Sequence, residues 1–197
     1  MNTSALVPAL RARLAIFVVS GRPRSGKTTV SAIAAEFLGV SPVISSTVVN
    51  RRIEARMGLA PGTIAAERVL DPEHFRPELI AEGNAMAAAG MSPGLLCVQA
   101  GSRVIDGMRR VSEVRESCAE ARKRGLIPIV LFVDNPRDAT RVNDNTESLG
   151  LRSIADVIIS NDASVEHLRT RTLAAIRRAA ALTAPQPKRA VSDRRGG

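Results

Sequence analysis

The sequence predicts an α/β domain: a parallel five-stranded sheet with helices on both faces. Short apolar runs alternate with segments of helical period along most of the chain, the pattern of repeated strand–helix units. The runs Leu14 to Val19 and Ile127 to Val133 are continuously apolar, as strands covered on both faces must be. Glycine and proline fall mostly at the joints between these segments.

Each element has its own warrant. Met1 to Arg13 reads as a lead-in with a helix over Val7 to Arg13. The first strand, Leu14 to Val19, runs into a glycine-rich turn. A helix follows over Thr29 to Leu38, with Val30, Ile33, Ala34, Phe37 and Leu38 on one face. After the Ser41-Pro42 break, Val43-Ile44 is a short second strand. Ser45, Ser46 and Thr47 can cap a helix reaching Met57. Gly58 to Asp71 contains Pro61 and Gly62 and reads as loop-rich. Arg76-Pro77 opens a helix with Leu79, Ile80, Gly83, Met86 and Ala87 on its buried side, stopped at Gly90. Ser92-Pro93 starts a short helix to Ala100, and Arg103 to Asp106 is the third strand.

Val111, Val114, Cys118 and Ala121 form a helical stripe that ends at Gly125. Ile127 to Val133 is the fourth strand, and its Pro128 is tolerable only at a strand start or on an edge. Asp134 to Arg152 is polar and reads as a mobile connection over a site. Val157 to Ile159 is the last strand. Ser164 caps a final helix with Val165, Leu168, Thr172 and Ile176 on one side. The chain from Pro185 onward lacks periodicity and is expected to be disordered.

Composition narrows the function classes. The chain has 197 residues and is 45% hydrophobic, enough to fold around a sizeable core. Aromatics are 2% with no Trp and no Tyr, so the core is aliphatic and a stacking platform for single-stranded nucleic acid is not expected. The net charge of +9 suits a phosphate-rich partner, although the tail over 184–197 carries part of it through Lys188, Arg189, Arg194 and Arg195. Cys97 and Cys118 match no metal-ligand spacing and read as free thiols, Cys118 on the apolar side of its helix. A reducing cytoplasm fits them. No apolar stretch approaches the ~20 residues of a membrane helix, and the first residues lack a signal-peptide pattern. The expected partner is a nucleotide substrate. A homodimer is compatible with the chain, nucleic acid is not expected, and no membrane is.

The most specific motif is Gly21-Arg22-Pro23-Arg24-Ser25-Gly26-Lys27-Thr28, which fits G-x-x-x-x-G-K-[ST] between a predicted strand and a predicted helix. In that context loop N–H groups converge on phosphate oxygens. Lys27 reaches the β- and γ-phosphates, and the Thr28 hydroxyl ligates Mg²⁺. The second motif is Asp106-Gly107-Met108-Arg109, where an Asp closing an apolar strand can hold the Mg²⁺ shell and Arg109 can fork onto a phosphate. In a parallel sheet, Gly21, Asp106, Asp134 and Asn161-Asp162 all fall on the carboxyl rim, where ligands bind.

The order of these elements resembles the P-loop nucleoside monophosphate kinases, which carry a related loop and an Asp-Gly-x-Arg or Asp-Gly-x-x-Arg signature after the third strand. Phe75-Arg76-Pro77 and the ending Ala155 to Ser164 are similar to phage-type deoxynucleoside monophosphate kinases. The ending also resembles dephospho-CoA kinases. The likeness covers about residues 14 to 178. It implies the P-loop NTPase fold as one kinase domain over 1–183, with an acceptor-binding insertion at about 45–100 and a lid at about 135–152. It implies ATP and Mg²⁺ at Gly21, Arg22, Arg24, Ser25, Gly26, Lys27, Thr28, Thr29 and Asn161, the last near adenine. Catalysis falls to Lys27, Asp106, Arg109 and a lid arginine, Arg141 before Arg137 or Arg152. Acceptor binding falls to Arg51, Arg76 and Arg109, with Arg52 and Arg56 nearby. The chain departs from many such kinases, which have glycine where it has Arg24 and Thr29. Arg24 adds a cation at the loop's mouth. His74 and His167 read as surface or boundary residues.

The expected activity is ATP-dependent phosphoryl transfer to a nucleoside or deoxynucleoside monophosphate. A dephospho-CoA kinase-like hydroxyl acceptor and a P-loop ATPase or nucleotide-binding regulator acting with nucleic acid are the alternatives.

Overall fold

A computed structural model of the chain describes residues 14–136 and 146–182. The expected lead-in helix, the basic tail, Arg137 and Arg141 lie outside the described residues. The sheet is five-stranded and all parallel, in the order β2-β3-β1-β4-β5. Its strands are β1 (Ala15–Gly21), β2 (Val43–Ile44), β3 (Val104–Asp106), β4 (Ile127–Asp134) and β5 (Val157–Ser160). The helices are α1 (Lys27–Leu38), α2 (Ser46–Met57), α3 (Thr63–Leu70), α4 (Arg76–Ala88), α5 (Pro93–Gln99), α6 (Val111–Lys123), α7 (Thr146–Ser153) and α8 (Val165–Leu182).

Alternate residues of β1 feed two different cores, as a pleated strand requires. Ala15, Phe17 and Val19 pack with Val30 and Ala34 of α1 and with Leu168 and Ile176 of α8. Ile16 and Val18 pack with Val98 of α5, Val114 and Cys118 of α6 and Leu151 of α7. Helices therefore cover both faces. The helices that follow β1 and β3 lie on opposite faces of these neighbouring strands. A crevice forms at the carboxyl ends of such a strand pair.

The sheet also explains Pro128. It is the second residue of β4 and pairs with Ile16 of β1, while pairing to β5 begins only at Leu131. Two residues on, the Val130 N–H donates to Asp156 Oδ2 at 2.7 Å, away from β1. Pro128 has its missing donor on that same open side, so no ladder bond is lost in a central strand.

Four local expectations are corrected. Gly58 to Asp71 is not all loop: α3 occupies Thr63–Leu70, because Pro61 and Gly62 precede the helix and buried Ile64 anchors it. Thr146–Ser153 of the expected polar connection forms α7, with Leu151 buried in the sheet's core. On α4, Ile80 is exposed rather than buried, and Glu82 takes an inward position. Val165 at the start of α8 is also exposed. Ser164 caps that helix as expected, its Oγ accepting from the His167 N–H at 3.3 Å.

Between β2 and β3 a helical layer has its own small core of Val49, Ile53, Ile64 and Met86, joined by Phe75, Leu79 and Leu96. Among the described residues no helix is long and apolar enough to cross a membrane. Cys97 and Cys118 are free and buried, and desolvation pushes both thiols up to about 11, which disfavours the thiolate.

Candidate functional site

Three hydrogen bonds hold the loop between β1 and α1. Ser25 N–H donates to the Arg22 carbonyl at 3.2 Å, closing a tight turn. Lys27 Nζ donates to the same carbonyl at 2.5 Å. From the end of β5, Asn161 Nδ2 donates to the Ser25 carbonyl at 2.9 Å. Glycine is required where the loop meets its supports. A Cβ on Gly26 would sit 2.5 Å from Asn161 Nδ2, and one on Gly21 would collide with the Val133 carbonyl of β4. Asn161 thus braces the loop from below with its side-chain amide. Arg22 and Thr29 are half-buried, and Arg24 is exposed.

The end of β3 is pinned by its neighbours. Gly107 N–H donates to Val19 O at 3.2 Å, Ser20 Oγ to Met108 O at 3.0 Å, and Ser45 N–H to Asp106 O at 2.8 Å. This sets Asp106 opposite the start of α1, where Thr28 Oγ1 donates to Asp106 Oδ2 at 3.1 Å. Asp106 is 3% exposed, and its Oδ1 is buried without a partner among the described residues. Desolvation raises the Asp106 pKa above the ordinary carboxylate range, opposed by the Thr28 hydrogen bond and the Lys27 charge. A buried carboxylate with one idle oxygen, beside a hydroxyl and a lysine, suits a hard cation that keeps most of its shell as water and phosphate.

Beyond Asp106 the chain enters a cleft of about 650 Å³ between α4 and the β3–α6 turn. Arg76 and Arg109, both expected in a site, line it together. So do Arg68 and Arg110, which sequence reasoning missed. Arg110 follows directly on Arg109 and was open to notice. Arg68 lies in the segment read as loop and acquires a direction only once α3 exists. Its Nε is buried with no partner among the described residues. Arg110 donates to the Gly83 carbonyl at 3.5 Å and to Asn84 Oδ1. Arg76 pairs with Glu73 at 2.7 Å in an exposed contact.

Glu113 lines the same cleft but is already committed to the main chain. It accepts from Gly94 N–H at 2.8 Å and Arg109 N–H at 3.4 Å, and burial raises its pKa. The arginines of α2 stand apart. Arg52 and Arg56 converge on buried Glu82 at 2.8 and 2.5 Å, holding α2 to α4. Arg51 is exposed and does not line the cleft. Arg152 pairs with Asp134 at 3.5 Å on the carboxyl rim.

The arrangement offers a loop with a lysine at one side, a cation-ready carboxylate in the middle and an arginine-lined cleft at the other. No protein-family model matches this chain, and no curated protein matches its sequence.

Proposed function

We propose that this protein is an ATP-dependent kinase, with the P-loop NTPase fold, that phosphorylates a nucleoside or deoxynucleoside monophosphate. One observation carries the reading. Asp106, bonded to Thr28 of the glycine loop, is followed within three residues by Arg109 of the 650 Å³ cleft, so a donor site and an anion-binding acceptor site share one rim.

The glycine loop and the N-terminus of α1 would bind the triphosphate, with Lys27 leaving the Arg22 carbonyl to meet it. Thr28 and Asp106 would hold Mg²⁺, which supplies charge neutralisation on the β- and γ-phosphates. Arg76 and Arg109 would fix the acceptor's phosphate, with Arg68 and Arg110 adding positive potential around it. An acceptor phosphate oxygen bonds to the γ-phosphorus while the bond from that phosphorus to the β–γ bridging oxygen breaks. The products are ADP and a nucleoside diphosphate. Little proton transfer is needed, so positioning and electrostatics carry the rate.

A hydroxyl acceptor, as in a dephospho-CoA kinase-like reaction, calls for a carboxylate free to take a proton. Glu113 of the cleft is occupied by two main-chain donors, so that role would fall to Asp106, whose Oδ1 is unpartnered among the described residues, or to Glu116.

The test is product analysis with purified protein, ATP, Mg²⁺ and a panel of ribo- and deoxynucleoside monophosphates. ADP and the matching diphosphate are expected in equal amounts. Release of free phosphate alone, stimulated by DNA, would replace this reading with that of a nucleic-acid-linked ATPase.

A further inference from the structure

Three of the described glycines lie inside helices, and two of them have a packing reason. A Cβ on Gly94 would meet Met108 and Ser117 within 2.8 Å, and one on Gly150 would press on Val111 at 3.0 Å. Gly83, in the middle of α4, has none: nothing lies within 4 Å of where its Cβ would stand. Glycine is the poorest helix former after proline, so at this position it weakens α4 and packs against nothing. Gly83 lines the 650 Å³ cleft together with Leu79, Ile80 and Ala87, which stand three and four residues away on the same helix face.

The missing side chain leaves a flat aliphatic shelf in the cleft wall. Ile80 is 52% exposed on it. Arg110 holds the shelf in place, donating to the Gly83 carbonyl at 3.5 Å and to Asn84 Oδ1. The chain has no Trp, no Tyr and four Phe, and none of the four lines the cleft. A flat ring bound here therefore rests on aliphatic side chains and backbone, and glycine is the residue that lets it approach the backbone closely.

A separate observation points to a ligand in the same cleft. Ser92 stands at the cap position of α5, where a serine hydroxyl ordinarily accepts from one of the first helical N–H groups. The Gly94 N–H goes to Glu113 instead, at 2.8 Å. Ser92 lines the cleft and is 1% exposed, and its Oγ is buried with no partner among the described residues. A buried hydroxyl without a partner is costly, and the polar edge of a ligand would supply one.

We propose that Gly83 is a specificity-determining residue of the cleft: the nucleobase of the acceptor lies flat on α4 at Gly83, between Ile80 and Ala87, with the Ser92 hydroxyl bonded to its edge. This rests on the kinase reading above. Arg76 opens α4 seven residues before Gly83, about 10 Å along the axis on the same face, so phosphate and base take different parts of one helix. The ring covers Ile80 and removes its apolar surface from water. Ser92 can donate or accept, so it serves either kind of base edge.

Gly83→Ala and Gly83→Leu fill the shelf with better helix formers, which separates a binding role from a structural one. Melting temperature is measured without nucleotide, and binding of nucleoside monophosphates and of Mg²⁺-ATP by calorimetry at two salt concentrations. Gly83→Ala should melt about 2–4 °C higher than wild type and bind monophosphates about tenfold more weakly. Gly83→Leu should weaken them about a hundredfold, and both variants should bind ATP as wild type does. The loss should be the same at both salt concentrations, because it is steric; a loss of phosphate contact would shrink at high salt. Ser92→Ala should weaken monophosphates about tenfold and leave ATP unchanged. A Gly83→Leu protein that binds monophosphates as tightly as wild type would overturn the shelf. So would a loss that shrinks with salt, or one that ATP shares. Wild-type protein that binds ATP but no monophosphate would overturn the kinase reading, and the shelf with it.

Discussion

At the loop rim the bonds that hold the site segments end on those segments' own main chain, whereas in the helical layer the arginines are held through their side chains. Val19, Asp106 and Met108 hold the end of β3 through carbonyls, and Asn161 props the loop at the Ser25 carbonyl. In the layer, Arg52 and Arg56 bind α2 to α4 through Glu82, and Arg110 reaches α4 through Gly83 and Asn84. Main-chain support survives replacement of the side chain it positions. Side-chain support does not. Rim variants should therefore lose chemistry while the protein stays folded, and layer variants should change acceptor binding or local stability while ATP binding stays intact.

The largest effect is expected at Lys27. Lys27→Met should cut phosphoryl transfer by about 10³-fold or more, with a melting temperature close to wild type. Turnover near the wild-type rate would break the comparison at its strongest point.

Asp106→Asn comes next. Turnover should fall by about 10²-fold with an altered Mg²⁺ dependence, and kcat and kcat/KM should fall together. Its effect on stability has the opposite sign. Burial raises the Asp106 pKa above 3.8, so the folded state holds this proton more tightly than the unfolded chain does. The stability contributed by the neutral form is complete below 3.8 and is lost as pH rises through the raised pKa. The nucleotide-free variant should thus melt above wild type at pH 7, with the difference closing as the pH approaches about 4. A melting curve series across that range checks it.

In the cleft the expected changes are smaller. Arg76→Ala should raise KM for the monophosphate about tenfold, near 1.4 kcal/mol, and leave KM for ATP unchanged. Arg109→Ala should depress kcat with little change in Mg²⁺ dependence, because Asp106, the residue proposed to hold the cation, is untouched. Arg51→Ala, outside the cleft, should alter neither constant by more than about twofold. Steady-state kinetics with each substrate varied in turn separate these outcomes, and a large effect at Arg51 would move the proposed acceptor site away from the cleft.

Glu82→Gln tests the layer's construction. It leaves two guanidiniums sharing a neutral amide, so a loss of about 1–3 kcal/mol is expected from denaturant unfolding. ATP affinity should hold. A loss of ATP affinity equal to the loss of acceptor affinity would show that the two regions do not act separately.

The alternation of apolar runs and helical stripes was enough to predict a parallel sheet covered on both faces, because side-chain period and burial are local properties. The glycine loop was legible for the same reason: its pattern lies in eight consecutive residues between a strand and a helix. Asp106 and Arg109 were legible as a strand-end motif. Helix α3 was not, since Pro61 and Gly62 mask an eight-residue helix whose anchor is the single buried side chain Ile64. The direction of Arg68 is set by that helix and is not legible in the sequence, and Arg51, on α2, lies outside the cleft's lining. Tertiary structure alone decided which arginines meet. Adjacent residues on α2 diverge, with Arg52 turned to Glu82 and Arg51 to solvent, whereas Arg68, Arg76 and Arg109, from three separate elements, reach one cleft. Local pattern determines which surfaces are buried, but the packing of distant elements determines which charges face each other, because only packing brings distant segments of the chain together.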